Sequence, residues 1–96
     1  INQLVYDEGK FNWNLIMETI ENLHDGFPTA LKQKYPQLDD SEYKICCLEY
    51  AGLNNGDIAD IFALKLNTIQ MKKSNIRKKL GIEEYGKIAE FLSRNV

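Results

Sequence analysis

Apolar residues along this chain recur at spacings of three and four and show no sustained alternation, so the pattern predicts helices and no strand. Trp13, Ile16, Ile20, Leu23 and Phe27 form one stripe. Asp25-Gly26 ends that helix, and Pro28 suits the first turn of the next. Leu31 and Tyr35 make a shorter stripe that Pro36 stops. Asp39 then precedes Glu42 by three, just ahead of ICCLEYA, the spacing of a capping box. Gly52 closes this helix in a left-handed conformation. Asn54 is the next cap, with Asp57 in the first turn where a negative charge suits the helix dipole. Ile58, Ala59, Ile61 and Phe62 face inward, and a tight turn of about 63–65 leads into a helix that ends at Gly81. A last helix starts near Glu83–Glu84 and turns Ile88, Phe91 and Leu92 inward. The expectation is an all-α chain of six helices, two amphipathic and then a compact four. Residues 1–37 are a helical extension that packs on, or leads into, a domain at 38–96. Trp13, Ile20 and Phe27 also fit one heptad position, but two heptads are fewer than a coiled coil needs, so packing on the domain is preferred.

The helix over 66–80 has an unusual polar pattern. Stepping about 100° per residue puts Ile69, Ile76 and Leu80 on one stripe, with Asn67, Met71, Ser74 and Lys78 opposite. Gln70 and Arg77 flank one side; Thr68, Asn75 and Lys79 flank the other. Lys72 and Lys73 straddle the buried stripe, so their stems are expected to pack while the ammonium groups snorkel outward. From Lys65 to Leu80 the charge is +6 with no acid, although the whole chain has a formal charge of -2, so the remainder carries -8. A cationic helix on an acidic body focuses the field on one face and keeps polyanions off the others. A solvated basic helix face explains the same residues without any ligand, and the segment alone leaves the two readings even. The preceding helix, joined through a tight turn, tips the balance: supporting helix, turn and recognition helix are the parts of a helix-turn-helix.

Composition narrows the rest. Ninety-six residues suit one small domain, and a hydrophobic share of 44% is enough to form a core. No apolar run is long enough to cross a bilayer and no secretory signal is visible, so no membrane contact is expected from this segment. Cys46 and Cys47 are adjacent, point about 100° apart on a helix, and read as buried free thiols in a reducing cytoplasm. The chain begins at Ile1, and the expectation is a piece of a longer protein with a sensor or repeat region outside it.

The stretch LDDSEYKICCLEYAGLNNGDIADIFALKLNTIQMKKSNIRKKLGI resembles the LuxR/GerE-type helix-turn-helix domain, which shares the winged-helix-like DNA-binding architecture without a wing. Leu38, Glu42, Gly52, Leu53, Asn55, Ile58, Ala59, Thr68, Lys78, Lys79, Leu80 and Gly81 match that family's pattern in register, over roughly residues 38–95. The upstream W-x-x-I-x-x-x-I-x-x-L-H and FPTALKQKYPQL look like a subgroup of such regulators from Bacteroidetes. The resemblance implies sequence-specific binding of double-stranded DNA by the output domain of a bacterial transcriptional regulator, as a homodimer on paired half-sites. Base contacts would fall on Gln70, Met71 and Ser74; phosphate contacts on Thr68, Lys72, Lys73, Arg77 and Lys78, with backbone N–H groups near Asn54 and Asn55. The last helix would place Ile88, Phe91 or Leu92 partly in a dimer interface.

Three positions depart from the family. Gly56 stands where a Lys is usual, and Lys65 and Leu66 replace the usual cap and its follower; Asn67 is expected to cap instead and start the helix two residues later. These departures motivate a second reading, a degenerate helix-turn-helix that binds protein. A sigma-factor-like promoter domain, with RNA polymerase as partner, is a third. The lone His24 has no ligand set around it and reads as structural, and Asp39-Asp40 and Glu83-Glu84 as helix-start carboxylates. No nucleophile–base set, phosphate loop, metal site or cofactor motif is present, so no catalysis is expected.

Overall fold

In the computed structural model, residues 6–7, 10–83 and 86–96 are described. Helix α1 (Trp13–Leu23) begins where Asn12 accepts the Leu15 N–H at 3.0 Å. It ends in two successive left-handed residues, Asp25 (φ 52°) and Gly26 (φ 78°). Helix α2 (Phe27–Lys34) follows at once, with Pro28 in its first turn where no N–H is needed. The reversal folds α2 back beside α1 and onto α3 (Asp40–Tyr50). Phe27 stacks flat on Tyr50 of α3, ring centroids 3.8 Å apart, and His24 meets the same Tyr50 edge-on.

Helix α3 is the centre of the molecule. The capping box forms: Asp39 accepts the Glu42 N–H at 2.8 Å, and Glu42 accepts the Asp39 N–H at 2.9 Å. Ile45, Cys46, Cys47 and Leu48 are four consecutive buried residues, so every side of the helix is covered. Its neighbours are α2, α4 (Asn55–Phe62), α5 (Leu66–Leu80) and α6 (Ile88–Asn95). Gly52 at φ 102° turns the chain out of α3, and Asn54 caps α4 through the Asp57 N–H at 2.8 Å.

One core runs through all six helices. Ile20 of α1, Phe27 and Leu31 of α2, and Ile58, Ile69, Ile76, Ile88 and Leu92 of the later helices belong to a single buried cluster. Trp13 lies against Phe62 of α4 at 5.1 Å between centroids, while Lys44 sits 4.5 Å over the same indole.

Three expectations are corrected. Tyr6–Asp7 pairs antiparallel with Lys10–Phe11 as β1 and β2, a two-residue ladder too short to leave an alternating pattern. Helix α5 starts at Leu66, two residues earlier than an Asn67 cap implies. Lys65 is its extended N-cap and offers no side-chain acceptor, while the Lys65 carbonyl accepts from Thr68 and Ile69. Helix α6 starts at Ile88 and not near 83–84; Glu84 lies outside the described residues. A turn closed by the Gly86 N–H on the Glu83 carbonyl holds the chain before α6, and the cap of α6 comes from far away: Glu49 of α3 accepts the Ala89 N–H at 2.9 Å.

Candidate nucleic-acid interface

The α4–α5 pair is set by a turn that needs one strained residue. Ala63 closes α4 in the left-handed region at φ 56°, and Leu64 N–H returns to the Ala59 carbonyl at 3.0 Å. Leu64 and Lys65 then carry the chain into α5, whose far end is closed by Gly81 at φ 75° with the Ile82 N–H on the Arg77 carbonyl at 2.8 Å. Ile69, Ile76 and Leu80 are buried, as the helical stripe requires.

The residues expected to read bases lie together on the outer side of α5. Gln70 and Met71 are exposed, Met71 by 64%, and Ser74 is half-buried one turn on. Lys78 continues the same face in solvent, and Thr68 is half-buried at the near end. Asn54 is exposed at the start of α4. Leu64 and Leu66 add exposed apolar surface at the leading edge.

The cations divide into two sets. Lys72 is half-buried, with its ammonium 3.3 Å from the Ser41 hydroxyl. Arg77 donates its Nε to the Gly86 carbonyl at 2.8 Å, fixing the approach to α6. Lys79 reaches across to Glu42 at 2.5 Å, and the Glu42 carboxylate raises the Lys79 pKa. The expectation of an outward ammonium on Lys73 is corrected: the residue is only 7% exposed, pairs with Glu49 of α3 and donates to the Asn55 side chain of α4. Turning the ammonium to solvent would leave the Glu49 carboxylate, itself mostly enclosed, without its counter-charge. Of the six cations between 65 and 80, Lys73 and Lys79 are thus held by acids of this chain.

Beside α5, a groove of about 670 Å³ opens between the start of α4 and the start of α6, walled by Asn54, Asn55, Arg77 and Lys87. The expected dimer residues fall differently. Ile88 and Leu92 are buried in the chain's own core and present nothing to a second copy, while Phe91 is half-buried with its ring 6.3 Å from Tyr35.

Elsewhere the chemistry is quiet. Burial pushes the Cys46 thiol up, and the Cys47 thiol to about 12, so neither is a thiolate near neutrality. Both thiols are free. Among the described residues no group of His, Cys, Asp and Glu could hold a metal ion, and no helix is long and apolar enough to cross a membrane. Glu49 was not anticipated from the sequence; its one signal is an acid between Leu48 and Tyr50 in an otherwise apolar stretch of α3. No protein-family model, no curated protein and no solved structure matches the chain.

Proposed function

We propose that this chain is a LuxR/GerE-type helix-turn-helix domain that binds duplex DNA, with α5 in the major groove. The observation that carries the reading is the outer face of α5: Gln70, Met71 and Ser74 side by side, with Lys78 beyond them, on a body whose residues outside 65–80 together carry a net charge of -8. A polar helix of this width fits the major groove. Gln70 suits bidentate bonding to adenine, Met71 suits a thymine methyl, and Ser74 serves several bases. Lys78 lies on this face, Arg77 flanks it and Lys72 lies further round beside the buried stripe; these three neutralise phosphates, while Thr68 and the α4 N-terminus near Asn54 and Asn55 supply neutral donors. In this reading the chain is the output part of a bacterial transcriptional regulator that acts as a homodimer on paired half-sites. With Ile88 and Leu92 enclosed, Phe91 is the member of the expected interface with surface to share.

The test is fluorescence anisotropy on a labelled duplex across a salt series, comparing the native chain with Lys72→Ala and Lys78→Ala. Each substitution is expected to weaken binding to all sequences alike and lower the salt slope by about 0.9 log units. Unchanged affinity in both variants would reject the assignment of this face.

A second reading has its own observation. Leu64, Leu66 and Met71 are three exposed large apolar residues within eight positions, an arrangement that also suits a protein partner such as RNA polymerase. Binding of polymerase core without duplex DNA, lost on Leu66→Ser, would favour it.

A further inference from the structure

One ion pair lies inside the frame of the last four helices. Glu49 of α3 and Lys73 of α5 leave only 16% and 8% of their side chains exposed. The Glu49 carboxylate accepts from two directions, the Lys73 ammonium and the Ala89 N–H at the start of α6. Lys73 gives a second hydrogen bond to the Asn55 side chain, in the first turn of α4. One carboxylate and one ammonium therefore touch α3, α4, α5 and α6. A turn further along α5, Arg77 adds its bond to the Gly86 carbonyl on the same flank. No other ion pair described in the structure joins helices through this region; Lys79–Glu42 lies at the opposite end of α3, and Lys44–Asp40 and Arg94–Glu90 each stay within one helix.

We infer that Glu49 and Lys73 are positioning residues, a brace that fixes α5 against the start of α4 and the start of α6, and that Lys73 contacts no phosphate. The inference rests on the duplex-binding reading and divides its cations by role. An ammonium has three donors, and two are already taken by acceptors inside the protein. To reach a phosphate, Lys73 would leave Glu49 enclosed without its counter-charge, which is far costlier than leaving an exposed acid alone. What the brace sets is the placement of the α4 N-terminus relative to the outer face of α5. Both must meet one duplex at once, so a small change in that placement separates them. The salt slope from α5 then comes from at most Lys65, Lys72, Arg77 and Lys78, about 3.6 log units per protomer and not the 5.4 or so that six phosphate contacts would give.

The experiment measures the duplex affinity and salt slope of the full chain and of Lys73→Met, Glu49→Gln and the double variant, with Lys78→Ala as a phosphate-contact reference. Lys73→Met is expected to weaken binding about tenfold with the slope unchanged. Glu49→Gln should weaken it in the same direction, and the double variant should lose no more than the worse single change. The double variant also keeps the side-chain volumes and leaves no lone buried charge, so it carries the readout if a single variant does not fold. A slope lower by about 0.9 in Lys73→Met, as in Lys78→Ala, would make Lys73 a phosphate contact and overturn the brace. Tighter binding with a steeper slope in Glu49→Gln would do the same, because it would mean that Glu49 merely competes with DNA for Lys73. If the native chain shows no salt-dependent binding, the duplex reading fails on its own. The brace is then judged by amide exchange at Asp57 and Ala89, which should quicken in Lys73→Met; unchanged exchange at both sites would overturn it.

Discussion

Replacing Leu31 by Ala tests whether the first two helices are part of the fold or an appendage of it. Leu31 is wholly enclosed, at 0% exposure, in a cluster shared with α3 to α6. The change deletes three carbon groups, worth about 2.4 kcal/mol at about 0.8 each. The cavity left behind adds to this, because α2 is held on two sides: by the stacking of Phe27 on Tyr50 and by the Tyr43 hydroxyl donating to the Pro28 carbonyl at 3.1 Å. The site therefore cannot collapse fully, and the expected loss is about 3–4 kcal/mol. For a chain of this size, that lowers the melting temperature by roughly 12 °C or more. The assay is thermal and urea unfolding followed by circular dichroism, with Leu23→Ala as control; Leu23 is 71% exposed and its loss should stay within about 0.5 kcal/mol. A loss below about 1 kcal/mol for Leu31→Ala, or two separate transitions in the native chain, would refute the single shared core.

Three further outcomes follow from particular residues. Ala63 occupies the left-handed region at φ 56°, so Ala63→Gly should stabilise the chain by up to about 1 kcal/mol in urea unfolding, and a destabilisation would show that its methyl packs usefully. The Glu42 N–H holds the Asp39 carboxyl below its ordinary 3.8, with Ser41, Lys79 and Lys72 adding to the effect. Its contribution is complete above that value and is lost as the pH falls below it, so Asp39→Asn, which keeps a capping acceptor, should flatten the acid limb of stability below about pH 4 while changing little at pH 7. Cys46 and Cys47 are both fully buried with raised pKa values, and a thiol reagent at pH 8 should modify them only as fast as the chain unfolds; immediate modification of either would contradict their enclosure.

The helices were largely legible because their signals are local. The capping box at Asp39 and Glu42, the left-handed glycines at 52 and 81, and the Asn54 cap all depend on residues within a few positions of one another. Where the signal comes from a distant element, the sequence is silent. Helix α6 takes its cap from Glu49, forty residues earlier, so its start could not be read from Glu83 onward. Lys73 looked like its basic neighbours because helical stepping places it at the edge of the buried stripe, and only the acid on α3 shows which way it turns. The inward positions of Ile88 and Leu92 followed from their spacing, but how completely the core would enclose them did not. Lys65 as an N-cap without an acceptor shows tertiary packing overriding cap preference: buried Ile69 fixes the phase of α5, and the Ala63 turn fixes where it begins.

The most direct test of the account is a salt series of anisotropy on this chain with a labelled mixed-sequence duplex, repeated with Lys72→Ala/Lys78→Ala. Binding is expected to weaken linearly in log salt, with a slope lower by about 1.8 in the double variant. Absence of binding at low salt, or the same slope in both proteins, would contradict the claim that the outer face of α5 meets DNA.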